Sequence, residues 1–161
     1  MRDTILYGDC LQTLDTLKSH ISIGICDKPR MCVTSPPYYG LRDYGGEDNQ
    51  IGHEDTPEEF ISNLVNIFSK VKDCLADDGT LWLNMGDSYY NYRPGKGQAL
   101  VQQSVSKSKQ DLPEKCARRG NKLEGLKEKD LIGIPWMLAF ALRADGWYLR
   151  QDIIWHKSNP M

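Results

Sequence analysis

The chain has 161 residues, 40% of them apolar and 26% charged, which suits one globular domain with its own core. No apolar run reaches the length of a membrane span, and Met1-Arg-Asp-Thr-Ile-Leu-Tyr7 lacks the apolar region of a secretory signal. Net charge is only −2, yet residues 1–92 hold 7 basic and 15 acidic side chains, residues 93–129 hold 10 and 4, and residues 130–161 hold 3 of each.

A basic segment inside an acidic chain is the footprint expected for phosphate contact; a solvated, disordered loop has the same composition. The five cysteines (Cys10, Cys26, Cys32, Cys74, Cys116) are scattered and never spaced C-x-x-C. Reduced thiols in a cytoplasmic setting are expected, with no disulfide frame. His20, His53 and His156 are too dispersed for a metal site, so none is assigned.

Thr4–Tyr7 reads as a short strand that Gly8-Asp9 ends. Leu11, Leu14 and Leu17 then recur at helical spacing and predict a helix to about Ser19. At such a joint Asp9 can meet the ribose or adenine edge of a nucleotide-like cofactor, or simply cap the helix. Met31 to Val33 is the next strand, and Ser35-Pro36-Pro37 stops it, because neither proline can donate to a ladder. Ser35 is held extended by the proline after it. A stiff backbone thus leaves the strand's carboxyl end with the Ser35 hydroxyl, the Pro36 carbonyl and the Tyr38 ring side by side. In an open α/β sheet ligands sit there. Two oxygens and an aromatic face suit a planar, amino-bearing ring. The same letters also fit P-P-x-Y, a ligand for WW-type domains, although such ligands lie in flexible tracts rather than at a strand end.

Residues 39–55 form a long Gly-, Asp- and Tyr-rich loop, whose Tyr39 and Arg42 can hold a ligand or pack the loop. Thr56-Pro-Glu-Glu59 announces a helix, with Thr56 as cap, Pro57 at the first position and Glu59 closing a capping box. Phe60, Ile61, Leu64, Val65, Phe68, Val71 and Leu75 make its apolar stripe. Thr80 to Gly86 alternates as the next strand. Asn84 and Asp87 follow on the same rim as Ser35 if the strands are parallel, and either border the pocket or take turn roles. Residues 91–129 read as a basic flexible insertion without the spacing of a phosphate-binding P-loop. Within it Arg118, Arg119 and Lys122 are the candidates for backbone phosphate contact. An apolar helix, Trp136 to Ala144, and a long strand, Trp147 to Lys157, complete the chain; Trp155 and His156 alternate there, one in and one out.

Thr34-Ser-Pro-Pro-Tyr38 resembles the catalytic motif, (D/N/S)-P-P-(Y/F), of the amino methyltransferases that modify DNA on cytosine N4 or adenine N6. The serine form is more similar to the cytosine branch. Gly8-Asp-Cys-Leu-Gln-Thr-Leu14 resembles the segment near the adenine of S-adenosylmethionine. Gly133-Ile-Pro-Trp136 and Ile153-Ile-Trp-His-Lys-Ser-Asn-Pro-Met161 resemble the later motifs that wall the base pocket. The likeness covers nearly the whole chain, in the order that places the catalytic motif before the cofactor motif.

The resemblance implies an α/β fold, a partial Rossmann-like sheet of the class I methyltransferase type with helices on its faces. It implies catalytic roles for Ser35, Pro36, Pro37 and Tyr38, and cofactor contacts from Asp9, Cys10 and Thr34. Contacts to double-stranded DNA or the flipped base fall to Tyr39, Arg42, Arg118, Arg119, Lys122, Trp155, Lys157 and Asn159, with Pro160 beside the last. The implied reaction is methyl transfer from S-adenosylmethionine to cytosine N4, in a restriction-modification setting. Adenine N6, or a catalytically dead DNA-binding remnant, is the alternative. The family's glycine-rich F-x-G-x-G loop is absent, so residues 1–161 read as the catalytic-motif half of the domain, lacking the C-terminal cofactor-binding strands. Weak or absent cofactor binding by this chain alone is expected, along with a bare sheet edge able to pair with a second chain.

Overall fold

The computed structural model describes residues 4–41, 50–90, 98–99, 117–118 and 123–158. Asp9 opens helix α1 (Cys10–Ser22), its Oδ1 accepting from the Leu11 and Gln12 amides at 3.0 and 3.2 Å. The helix runs one turn past the expected Ser19. Upstream, the strand expected over Thr4–Tyr7 does not form, and Ile5 and Tyr7 stand exposed. A strand exists only through its ladder, and no described strand lies beside this one.

Strand β1 (Met31–Thr34), helix α2 (Pro57–Cys74) and strand β2 (Thr80–Leu83) form a β-α-β unit. The strands are parallel, with Met31 opposite Thr80 and Thr34 opposite Leu83. Backbone bonds prolong the pairing at both ends, from Thr80 N to the Arg30 carbonyl (3.0 Å) and from Asn84 N to the Thr34 carbonyl (2.9 Å). Helix α2 starts as its letters dictate. The Thr56 hydroxyl accepts from Glu59 N, the Glu59 carboxylate accepts from Thr56 N, and Pro57 occupies the first turn.

Two further elements lie between β2 and the last helix. Strands β3 (Gln98–Ala99) and β4 (Ala117–Arg118) pair antiparallel, so the segment read as loop contains a short ladder. The ends of that segment are drawn together at its base. Ile132 N donates to the Ser88 carbonyl (2.9 Å), Tyr90 N to the Asp130 carbonyl (2.8 Å) and Lys129 N to the Tyr90 carbonyl (2.7 Å). Residues 91–122 therefore leave and re-enter the domain just past the end of β2.

Helix α3 (Ile134–Ala144) begins after Gly133 in the left-handed region, φ 89°, and has no cap of its own. Asp87 supplies one from across the chain, its carboxylate accepting from Gly133 N and Ile134 N at 3.0 Å. Phe60, Leu64 and Phe68 of α2 meet Ile134, Leu138 and Leu142 of α3 in the core, with Leu14, Cys32, Leu81 and Leu83 packed against it. Each such side chain stabilises the fold by roughly 1.5–3 kcal/mol through burial. On the other face of the sheet Met31, Val33 and Trp82 are exposed, so among the described residues helices cover one face only. The long strand expected over Trp147–Lys157 is likewise absent: Trp147 packs on the core, but Tyr148, Ile154 and Trp155 stand exposed with no strand alongside. No described helix is long and apolar enough to cross a membrane.

Candidate active site

Parallel pairing sets the site. With Thr34 opposite Leu83, the next residues, Ser35 and Asn84, emerge together from the carboxyl ends of β1 and β2. The Asn84 side-chain amide donates to the Ser35 hydroxyl oxygen (3.3 Å) and to the Tyr38 hydroxyl oxygen (3.2 Å). One amide thus ties both ends of the Ser35-Pro36-Pro37-Tyr38 bend to the neighbouring strand. Ser35 and Asn84 are exposed; Pro36, Pro37 and Tyr38 are half-buried.

Two glycines make room for the bend. A Cβ on Gly86 would lie 3.1 Å from Tyr38 Cε2 and 3.3 Å from its Cδ2, so the ring rests on bare backbone. At Gly52, where φ is +91°, a Cβ would come within 2.8 Å of the Tyr38 carbonyl. The Gly40 amide also donates to the Gly52 carbonyl at 2.9 Å. Tyr39 turns the opposite way. Its ring packs on Phe60 with centroids 5.4 Å apart, its hydroxyl reaches the Asp55 carbonyl, and its own carbonyl accepts from the Ser88 hydroxyl at 2.8 Å. The bend is clamped on several sides, which a WW ligand, open along both prolines, does not allow.

The structure therefore gathers Thr34, Ser35, Pro36, Pro37 and Tyr38 at one rim and adds Asn84. The signal for Asn84 was equal spacing: Ser35 follows Met31 by as many residues as Asn84 follows Thr80. Tyr39, named with the DNA contacts, is a packing residue at the base of the bend. Asp87, the other residue weighed for the pocket border, is the α3 cap. Asp9 caps α1 through Oδ1, while Oδ2 accepts from no described residue; Cys10 beside it is exposed, its thiol pushed up by partial desolvation and then by the Asp9 charge. Neither bonds to the Ser35 group. Trp155 and Lys157 are exposed and also make no bond to it. Arg42, Arg119, Lys122 and Asn159 lie outside the described residues, and of Arg118 only the backbone is described.

A sequence model of the family described as DNA methylase matches residues 30–161. The chain is 48% identical over 158 residues to the type II methyltransferase M.Cfr9I of Citrobacter freundii, covering 98% of this chain and 47% of the relative. It is 47% identical over 155 residues to M.SmaI of Serratia marcescens, covering 96% and 48%. To the type II methyltransferase M.MwoI of Methanothermobacter wolfeii it is 35% identical over 161 residues, covering 100% and 18%. The chain thus spans about half the length, or less, of the relatives it matches. No solved structure matches it.

Proposed function

The chain belongs to the DNA methylase family, and from that premise we propose that its Ser35 rim is where an exocyclic amino nitrogen of a base in DNA accepts a methyl group. The observation that carries this reading is the Ser35–Asn84–Tyr38 group at the carboxyl ends of two parallel strands, with the Pro36 carbonyl adjacent. No described residue donates to that carbonyl, which leaves it available to an amino group.

An amino nitrogen on an aromatic ring is a poor nucleophile because its lone pair is delocalised. An oxygen held rigidly beside it accepts an N–H, draws the nitrogen toward tetrahedral geometry and localises that pair. This is positioning with electrostatic preorganisation, and it needs no covalent intermediate and no cysteine nucleophile. Tyr38, resting on Gly86, offers its other face to the base, partly offsetting the few kcal/mol that extruding it from the duplex costs. S-adenosylmethionine, when bound, supplies the electrophilic methyl carbon. Asp9 fits a ribose hydroxyl through its unbonded Oδ2, with Cys10 and Thr34 as the further cofactor contacts; so small a set predicts weak binding by this chain alone.

Serine at position 35 favours cytosine N4 as the target, with adenine N6 the alternative. The basic segment, including Arg118, Arg119 and Lys122, is rooted just past β2 and therefore beside the same rim, which favours phosphate contact from there. Arg42, Trp155, Lys157 and Asn159 are proposed to complete the hold on DNA. The β-α-β unit is read as part of a larger Rossmann-like sheet, and the bare face carrying Met31, Val33 and Trp82 as the surface that further strands and helices, or a second chain, cover.

Nucleoside analysis of DNA from cells expressing the complete protein tests this. N4-methylcytosine, lost in Ser35→Ala, is the expected result. N6-methyladenine would shift the target to adenine, and duplex binding without any methylated base would leave a DNA-binding remnant. Calorimetry on the isolated chain giving micromolar affinity for S-adenosylmethionine would overturn the weak-binding expectation.

A further inference from the structure

We infer that Asn84 is a positioning residue that sets the hydrogen-bond polarity of the rim, an inference that rests on the site reading above. A hydroxyl has one proton and two lone pairs. The Asn84 amide donates to the oxygens of both Ser35 and Tyr38, so on each hydroxyl a lone pair is occupied and the proton is left to point elsewhere. The Ser35 proton has no described acceptor, and the residue is exposed, so that proton faces the cleft mouth. Next to it along the backbone stands the Pro36 carbonyl, an acceptor with no described donor. The rim thus presents one donor and one acceptor, adjacent and held in a fixed order.

That pair has a definite complement. An aromatic ring carrying an amino group beside an unprotonated ring nitrogen places its N–H on the Pro36 carbonyl and its lone pair on the Ser35 proton. Cytosine and adenine both carry this edge. Thymine and guanine carry an N–H and a carbonyl oxygen there, which would set donor against donor and acceptor against acceptor, an unpaired arrangement that is costly in a desolvated site. Asn84 therefore separates amino bases from oxo bases while leaving cytosine and adenine alike at this edge. Its placement is set by the fold: the Asn84 backbone N–H is bonded to the Thr34 carbonyl at 2.9 Å, and Gly86 lets the Tyr38 ring come close enough for its hydroxyl to reach the same amide.

The test uses the complete protein and single-turnover methyl transfer to duplex oligonucleotides. The target base is either normal or a deaza analogue with C–H in place of the ring nitrogen beside the amino group. The wild type is expected to lose about tenfold in rate on the analogue, the scale of one hydrogen bond in the transition state. Asn84→Asp keeps the shape but accepts both hydroxyl protons, so it should fall at least about tenfold on the normal base and treat normal and deaza bases alike. Asn84→Ala, which adds no charge, should also lose most of the discrimination, so a folding defect peculiar to the carboxylate cannot hide the answer. Wild-type discrimination retained in both variants would overturn the inference while Ser35→Ala still abolished transfer. Absence of transfer by the wild type would overturn the functional reading and this inference together.

Discussion

Helix α2 and the segment 147–158 both look well specified in the sequence, and they fare differently. The helix has its capping box, its proline and seven stripe residues where the letters place them, and Phe60 and Leu64 are almost completely buried. The 147–158 segment has an equally clear apolar alternation, yet it forms no ladder and leaves Ile154 84% exposed. A helix satisfies its own backbone within each turn, so a local signal suffices to form it. A strand borrows its hydrogen bonds from a neighbour, so the same strength of signal is only half of what it needs.

The largest test of that contrast is Phe60→Ala, expected to destabilise the fold by about 3–5 kcal/mol in urea denaturation, since the site is wholly buried and cannot collapse easily. A loss below about 1 kcal/mol would mean that α2 does not organise the core. Gly86→Ala probes the rim that the two regions flank. Its methyl group must displace the Tyr38 ring, so a stability cost of about 1 kcal/mol should accompany a larger, roughly tenfold or greater, fall in methyl transfer. Equal, small effects on both would show the ring position to be unimportant. Thr56→Ala removes the hydroxyl of the capping box and should cost about 1 kcal/mol by thermal melting. In the other region, Ile154→Ser or Trp155→Ser should change the stability of this chain by less than about 0.5 kcal/mol. A large loss would reveal burial that the fold does not show.

The smallest effect belongs to the Lys18–Asp73 pair that joins α1 to α2 at 2.6 Å. The Lys18 hydrogen bond holds the Asp73 carboxyl below its ordinary value, and Asp73 in turn raises Lys18. The Asp73 contribution is thus present above its unfolded value and lost as pH falls through the lower folded one. The Lys18 contribution is present below its unfolded value and lost as pH rises through the higher folded one. Both groups are largely exposed, so the stability plateau between these limits should be shallow and flatten further in high salt. A steep acid transition abolished by Asp73→Asn would contradict this.

Much of the site was legible because its chemistry is local. The diproline stop after β1, the half-buried bend and the adjacent hydroxyl and ring follow from five consecutive letters. What was not legible was which way neighbours turn. Tyr38 and Tyr39 are equivalent in the sequence, yet one rests on Gly86 at the rim and the other packs on Phe60 in the core. Asp87 reads as a pocket residue or a turn residue, and only the arrival of Gly133 makes it a helix cap. Asp9 carried both a cap and a cofactor reading, and its two carboxylate oxygens leave room for each.

By itself the sequence determined where α2 starts, where β1 must stop and which side chains the bend carries, because caps, prolines and apolar periods act within a few residues. Only the tertiary structure decided that β1 and β2 run parallel with Thr34 opposite Leu83, which brings Asn84 to Ser35 and Tyr38. That register depends on hydrogen bonds between residues nearly fifty positions apart, and on the shared core that holds the two strands at one height.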